Sequence, residues 1–534
     1  MTTDNAYDLP EDTAGLVLAD SAHVKFRQNF ANVASQSSVY FAGTAFTLLG
    51  GYLFRFYVVR RLGAGLVGLN ALGMSLYAIC KLFGQMGLPQ TALRYVAAYD
   101  GAGEPGQLRT FFRRALFWTL LGTSSLGMLV ICIRHWLATR IFHAPEFAAY
   151  LPLFAVLIPI GATSAFLNQT LCGFRKVSRS MTITNFISFP FMMVLTVVAL
   201  MSGLSLWGYV FAQVAAESLT LVLAALSLRT LLPRPSNVPE QDGLGLPGDV
   251  KQYALAIFGI GVVEFILGQS DRLIVGYYLE ARQLGIYAVA GSLAALIPLG
   301  LQSVNSIFAP TIAKLYAEGE NALLSRLFQT ITKWVLGFAL PLVFVFVFFS
   351  HQLMGLLGKE FEAGWFLLVL GAIAQTINCG TGSVGYFLLM SGNQKQLIRV
   401  QVAVSILVLL GDVSLIPVFG ITGAAVVAAL GATVSNLAYL FLVRRKLNLW
   451  PYNRHYLRLA GPVAATALVI WLVSKIPLFR AYANLPAIIV SLILGYAVFV
   501  VGSLAFGLDD DDRLLWQVAR SRLPRGLGRW FAAR

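Results

Sequence analysis

Charged residues are scarce in this chain: Asp, Glu, Lys and Arg together make up 12% of its 534 residues, whereas hydrophobic residues make up 57%. A typical soluble domain carries about twice that share of charged residues. The hydrophobic residues run from residue 34 to residue 506 with only short interruptions, which leaves no stretch long enough for a soluble catalytic domain. The composition therefore predicts an integral membrane protein rather than a water-soluble enzyme.

Cysteine and other metal-binding residues are also scarce. The four cysteines are too few for a disulfide framework, and all fall in or beside hydrophobic segments. The five histidines show no paired metal-ligand spacing, and no nucleotide-binding loop or serine-hydrolase motif occurs. We therefore expect no catalytic site, no metal site and no cofactor. The net charge of +15 is spread over short connections, which argues against nucleic acid as a partner.

The hydrophobic segments predict an all-α polytopic membrane protein. About fourteen of them are long enough to span the hydrocarbon core, which needs roughly 20 helical residues. A polar linker rich in Pro, Gly and Asp follows the sixth segment. The predicted regions are a cytoplasmic N-terminal segment (1–33), an N-lobe of helices 1–6 (34–231), a cytoplasmic linker (232–252), a C-lobe of helices 7–12 (253–445), helices 13–14 (446–507) and a cytoplasmic amphipathic tail (508–534).

The distribution of Lys and Arg predicts the orientation in the membrane. With a cytoplasmic N-terminus, the segments on the cytoplasmic side hold 28 basic residues and the loops on the opposite side hold 8. Cytoplasmic loops are enriched in basic residues in membrane proteins generally. Both termini are therefore predicted to be cytoplasmic.

The two halves of the chain show an internal repeat. Residues 55–72 (RFYVVRRLGAGLVGLNAL) align with residues 272–289 (RLIVGYYLEARQLGIYAV) at an offset of 217. Three further pairs of landmarks, among them the loops HAPEF and LGKEF, keep the offset between 214 and 221. Six helices separate equivalent points, so both halves have the same orientation. The repeat predicts two six-helix lobes related by a pseudo-twofold axis along the membrane normal.

Several stretches resemble the polysaccharide transporter (Wzx-type flippase) family of the multidrug, oligosaccharidyl-lipid and polysaccharide exporter superfamily. They are QSDRLIVGYYLEARQLGIYAVAGSLAALIPLGLQSVNSIFAPTIAKLYAEGE, RRLGAGLVGLNAL, GLPQTALRYVAAY and LIPVFGITGAAVVAAL. The resemblance covers about residues 34–520. It implies a flippase of the bacterial inner membrane that moves an undecaprenyl-diphosphate-linked oligosaccharide from the cytoplasmic to the periplasmic leaflet, for O-antigen, capsule or exopolysaccharide synthesis. A multidrug or cation antiporter and a lipid II flippase of the same superfamily are the alternatives.

Ionisable residues within membrane helices are the candidate functional residues, because each costs roughly 2.5 to 3.5 kcal/mol on insertion scales. Three cations, Arg55, Lys81 and Arg272, are the candidates for binding the diphosphate of a lipid carrier. The alternative is that their long side chains snorkel to the membrane interface.

Three carboxylates, Glu217, Glu264 and Asp271, are the candidates for coupling transport to H⁺ or Na⁺. The alternative is that they fix helix packing or, for Asp271, neutralise a neighbouring arginine. Asp412, near the end of the eleventh predicted helix, is interpreted as structural. The expected partners are the lipid-linked oligosaccharide, membrane lipids and the polysaccharide polymerase machinery.

Overall fold

A computed structural model gives the fold of the chain and describes residues 11–233, 245–476 and 485–506. The predicted amphipathic tail (508–534), the middle of the predicted linker (234–244) and the first ten residues lie outside the described residues. The described part is helical almost throughout, which confirms the predicted all-α polytopic membrane fold.

Fifteen helices carry the architecture of the described residues, apart from a few short turns of helix. Their bounds are α1 (Glu11–Gln85), α2 (Leu88–Ala102), α3 (Pro105–Cys132), α4 (Phe147–Gly173), α5 (Val177–Met201), α6 (Ser205–Arg229), α7 (Gly248–Tyr278), α8 (Ala281–Ala294), α9 (Leu299–Ala317), α10 (Asn321–Phe348), α11 (Trp365–Thr381), α12 (Val384–Met390), α13 (Gln394–Leu447), α14 (Leu457–Lys475) and α15 (Leu485–Ala505). A 3₁₀ turn, Lys359–Gly364, precedes α11.

Eleven helices within the described ranges are long and apolar enough to cross a membrane, or twelve if the bent pair α8 and α9 counts as one span. Two of the eleven contain a non-helical glycine, Gly63 in α1 and Gly420 in α13. The apolar part of α1 has 40 residues and α13 has 54. These lengths correspond to about 60 Å and about 80 Å, at least twice the roughly 30 Å hydrocarbon core. If α1 and α13 each crossed twice, the count of twelve would rise to fourteen, and that count stays a prediction.

The breaks between helices follow the repeat found in the sequence. Gly63 interrupts α1 with φ +76°, a conformation that glycine adopts without strain. The equivalent position at an offset of 217 is Glu280, which has extended dihedrals between α7 and α8. Arg55 and Arg272 therefore each lie eight residues before a break in helical geometry.

The close contacts divide the chain into two compact units, neither of which is continuous in sequence. The first consists of Met1–Val58, Cys80–Ile131 and Leu153–Phe258, and the second of Val59–Ile79, Cys132–Pro152 and Gly259–Arg534. The first unit packs around a buried cluster that includes Phe111, Phe166 and Leu171. The second packs around a cluster that includes Phe308, Phe328 and Phe387.

Candidate functional site

A polar cluster in the second unit is built on the last turns of α7. Gln269 Oε1 accepts hydrogen bonds from Arg272 Nη1 at 2.9 Å and from Ser75 Oγ at 3.5 Å. Asp271 Oδ1 accepts from the backbone N–H of Arg272 at 2.8 Å, and Asp271 Oδ2 accepts from the Tyr287 hydroxyl. Gln269 fixes one nitrogen of the guanidinium, so Arg272 has a defined orientation rather than that of a freely moving surface side chain.

The α7–α8 hairpin explains why these residues meet. Asp271 lies eight residues before Leu279 and Tyr287 lies eight residues after it, so two antiparallel helices joined at that turn bring both side chains to the same level. Gln269 and Arg272 are three residues apart on α7 and therefore share a face. The local sequence thus determines most of the cluster.

Asp412 of α13 adds a second carboxylate to this cluster. Its side chain is fully buried, and neither carboxylate oxygen has a hydrogen-bond partner among the described residues. Its carboxylate interacts electrostatically with the carboxylate of Asp271 and with the phenol group of Tyr287. Two neighbouring carboxylates in a buried site repel each other when both are ionised. Its position near the end of the eleventh predicted helix indicated a structural role, and nothing in the sequence links it to Asp271.

A small cavity lies beside Tyr287 of α8. Its volume is about 130 Å³, and Tyr287 and Gln375 are its polar lining residues. The remaining lining comes mainly from glycine and alanine, including Gly291, Gly371 and Ala425. Small side chains leave room for a few water molecules or an ion close to Tyr287.

Arg55 has different surroundings in the first unit. It is exposed on α1, and its charge interacts with the phenol groups of Tyr52 and Tyr209. Lys81 of α1 and Glu217 of α6 are half-buried. These three candidates belong to the first unit, whereas the cluster around Asp271 belongs to the second.

Glu264 lies on α7 two turns before Asp271. It is exposed and has no hydrogen bond or ion pair with any residue that the structure describes. Asp271 and Arg272 are the two of the six predicted site residues whose hydrogen bonds build the cluster. No group of three or more His, Cys, Asp or Glu side chains within the described ranges could hold a metal ion.

Glu360 has a structural role that its position in the sequence does not reveal. Its Oε1 accepts a hydrogen bond from the backbone N–H of Ala64 at 2.6 Å, where the helix resumes after Gly63. Its Oε2 lies 3.5 Å from Arg282 Nε. A carboxylate at a helix N-terminus satisfies a free donor and interacts favourably with the helix dipole. The aligned loops HAPEF and LGKEF contained the only sequence signal for this residue.

Two glycines bring repeat-equivalent segments into backbone contact close to Glu360. A Cβ added at Gly68 would overlap the carbonyl oxygen of Ala281, and one at Gly285 would overlap that of Ala64. Gly68 and Gly285 are equivalent at the offset of 217, as are Ala64 and Ala281. The contact is therefore reciprocal, as a local twofold axis requires.

Comparison with known proteins identifies the family. Residues 59–363 match a family model described as "Polysaccharide biosynthesis protein", which is more than half of the chain. The chain belongs to this family. The match includes the α7–α8 hairpin, Glu360 and the Gly68–Gly285 contact, and it confirms the resemblance seen in the sequence.

A curated relative is the probable low-salt glycan biosynthesis flippase Agl15 of Haloferax volcanii. The two sequences are 24% identical over 239 residues, which is 45% of this chain. The match spans about half (49%) of the length of that flippase.

Solved structures of transporters share the fold of this polysaccharide biosynthesis family member. A lipid II flippase MurJ in the inward closed conformation superposes with a TM-score of 0.67 at 14% identity, covering 87% of this chain and 98% of that one. An inward-facing multidrug resistance MATE transporter gives a TM-score of 0.57 at 13% identity. The match covers 74% of this chain and 94% of that one. The Vibrio cholerae MATE transporter VcmN in the bent form gives a TM-score of 0.51 at 16% identity. The match covers 78% of this chain and 98% of that one. At these identities the similarity concerns the fold alone.

Proposed function

We propose that this protein is a flippase that moves a lipid-linked oligosaccharide between membrane leaflets by alternating access. The observation that carries the proposal is the family match over residues 59–363. The flippase name of the Haloferax volcanii relative supports it. A transporter fold with several ionisable residues in its membrane helices also fits a polar cargo.

The cargo we propose is an oligosaccharide on an undecaprenyl diphosphate carrier. Arg272, oriented by Gln269, and the cations Arg55 and Lys81 are the proposed ligands of the diphosphate. Guanidinium groups suit this role because their planar donors match phosphate oxygens. The oligosaccharide would pass through the protein while the lipid tail remains in the bilayer.

The proposed location is the bacterial inner membrane, with both termini in the cytoplasm and outward transport toward the periplasm. The proposed regions are those predicted from the sequence, with N-lobe 34–231 and C-lobe 253–445. A phosphatase reporter that is active only outside the cytoplasm should be active when fused at 60–65 or 143–147. It should be inactive when fused at 233–249 or after Arg534, and activity at 233–249 would contradict this topology.

Asp271 and Asp412 are the proposed coupling carboxylates, with H⁺ or Na⁺ as the coupling ion. The support is their mutual proximity, the full burial of Asp412 and the absence of a hydrogen-bond partner for its oxygens among the described residues. Glu264 and Glu217, proposed from the sequence, are the competing candidates. A buried charge without a partner is expensive, so a bound proton or cation would stabilise the pair.

The alternatives are a multidrug or cation antiporter and a lipid II flippase, both of which the fold would accommodate. An antiporter that binds lipophilic cations should have an acidic site free of arginine, whereas Arg272 here adjoins Asp271. A lipid II flippase would be required for cell-wall synthesis. Deletion of the gene distinguishes a lipid II flippase from the proposed flippase. Loss of a surface polysaccharide flippase should leave the transport of cell-wall precursors intact.

The experiment that tests the proposal is gene deletion followed by analysis of lipid-linked saccharides. We expect an undecaprenyl-linked oligosaccharide to accumulate on the cytoplasmic leaflet and surface polysaccharide to disappear. The wild-type gene should restore the polysaccharide. Normal surface polysaccharide in the deletion strain, without such an accumulation, would contradict the proposal.

A further inference from the structure

The first unit contains a large apolar cavity that the proposed transport function does not use. Its volume is about 750 Å³, within the range of roughly 300 to 1,000 Å³ typical of ligand pockets. It lies between the end of α1, the middle of α3 and the start of α7, and its lining is mostly apolar. Lys251, in the first turn of α7, is the only charged residue among those that line it.

Polar contacts fix the α7 side of this cavity. Arg114, which is buried, donates a hydrogen bond from Nη1 to the carbonyl oxygen of Gly245 at 2.6 Å, and Gly245 lines the cavity. Tyr95 donates a hydrogen bond to Asp249 Oδ2 at 3.0 Å, which attaches the start of α7 to α2. The cavity is therefore preformed by anchored backbone and is not a packing defect.

The opposite wall is fixed by a close helix crossing. A Cβ at Gly122 would lie 2.5 Å from the carbonyl oxygen of Gly84, so α3 and α1 meet at their backbones there. This leaves the space between them and α7 with little freedom to collapse. A side chain added inside the cavity should therefore displace an occupant rather than fill a gap that would otherwise close.

The shape of the cavity fits a hydrocarbon chain. Along α3 the lining extends from Trp118 to Leu126, which is about 12 Å at 1.5 Å per residue. Its walls include exposed apolar side chains, with Phe83 50% and Leu255 61% exposed. Because these helices span a membrane, the space around such side chains is filled by lipid rather than water.

The one charged residue of the lining, Lys251, indicates the headgroup. Lys251 is exposed and has no hydrogen bond or ion pair with any described residue. A lysine near the membrane surface attracts an anionic lipid by about 1 kcal/mol. One ammonium matches the single negative charge of a phosphodiester, whereas a diphosphate requires several donors.

We propose that this cavity binds one chain of an anionic phospholipid of the surrounding bilayer, with its phosphodiester at Lys251. The site would be occupied by a resident lipid during transport. This proposal does not depend on the identity of the transported substrate.

Native mass spectrometry of the full-length, delipidated protein in detergent tests the proposal. The probes are phosphatidylglycerol, zwitterionic phosphatidylcholine and undecaprenyl phosphate. We expect one tightly bound phosphatidylglycerol per protein and weaker binding of the other two lipids. Lys251→Gln should weaken phosphatidylglycerol binding about fivefold, which corresponds to about 1 kcal/mol. Ser125→Trp should abolish it, because the indole would occupy the cavity that Ser125 lines.

Matched variants serve as controls. Ser124→Trp adds the same side chain at a neighbouring exposed position that does not line the cavity, and Lys176→Gln removes an exposed lysine elsewhere in the first unit. Both should bind phosphatidylglycerol like the wild type. If Ser125→Trp lowers the unfolding temperature in detergent, Ser125→Leu is the smaller replacement with the same expected loss.

Three results would overturn the proposal. One is unchanged phosphatidylglycerol binding in both Ser125 variants, which would place the lipid elsewhere. Another is equal affinity for phosphatidylcholine together with no effect of Lys251→Gln, which would remove the role of charge. Tighter binding of undecaprenyl phosphate than of phosphatidylglycerol would identify the carrier lipid as the occupant instead.

Discussion

The two repeat-equivalent segments, residues 55–72 in α1 and residues 272–289 in α7–α8, are alike in packing and different in charge. Both lose helical geometry at the same relative position, and Gly68 and Gly285 contact the opposite backbone reciprocally. Arg272, however, adjoins Asp271, whereas the residue equivalent to Asp271 is the buried Phe54.

This difference extends to the other members of the cluster. At the offset of 217, Tyr287 corresponds to Asn70, Gln269 to Tyr52 and Asp412 to Leu195. The carboxylate pair thus exists only in the C-terminal half, while a cation and a glycine contact exist in both. The comparison indicates that packing is shared by the halves, and under the proposed function ion coupling would reside in one of them.

The largest expected effect comes from removing the two equivalent arginines. Arg272→Ala or Arg55→Ala should abolish surface polysaccharide with near-normal protein abundance, because the diphosphate would lose a charged ligand. Arg→Lys should rescue only in part, and less at position 272, where Gln269 orients a planar guanidinium. Quantification of surface polysaccharide measures transport, and immunoblots measure protein abundance. Full rescue by lysine at both positions would indicate snorkelling instead.

The next effect concerns the carboxylates that distinguish the halves. Asp412→Asn should leave the protein folded, because it removes a buried charge without a hydrogen-bond partner among the described residues, but should eliminate the dependence of transport on pH or Na⁺. Transport in vesicles under imposed gradients measures this dependence. Glu264→Gln is the matched control, since Glu264 is exposed and outside the cluster, and should retain the wild-type response. Loss of the pH or Na⁺ dependence in Glu264→Gln, together with a wild-type response in Asp412→Asn, would make Glu264 the coupling residue.

The shared packing can be tested at the glycine contact. Gly68→Ala should destabilise the protein by about 1 to 3 kcal/mol, because the added methyl group overlaps a backbone carbonyl of α8. Gly65→Ala, on the same helix with open space around its Cβ, is the control and should be neutral. Unfolding temperatures in detergent compare the two. Equal temperatures would mean that the contact does not contribute to stability.

The smallest expected effect is loss of the helix cap. Glu360→Ala removes the acceptor for the Ala64 N–H and should cost about 1 kcal/mol of stability. The equivalent Glu146 is exposed, so Glu146→Ala is the control and should have a smaller effect. The unfolding temperatures of Glu360→Ala and Glu146→Ala measure the two losses of stability. A larger loss for Glu146→Ala would contradict a capping role that is specific to Glu360.

Much of the fold could be predicted from the sequence, and only part of the site. Hydrophobic length was sufficient to predict a polytopic helical membrane protein, because each membrane helix satisfies its own backbone, whereas the count of fourteen crossings stays a prediction. Asp271 and Arg272 were recognisable as charges in an apolar segment. Asp412 and Glu360 depend on contacts with residues more than a hundred positions away, and a single sequence carries no signal for such pairings.

Transport of lipid-linked oligosaccharide by the purified protein in vesicles tests the central claim most directly. Exposure of the saccharide on the opposite leaflet, measured by an enzyme that cannot cross the membrane, should require wild-type protein and should be lost with Arg272→Ala. A lipophilic cation added to the same vesicles should not be transported. No acceleration of saccharide exposure by the wild-type protein, together with transport of the cation, would contradict the account and favour an antiporter.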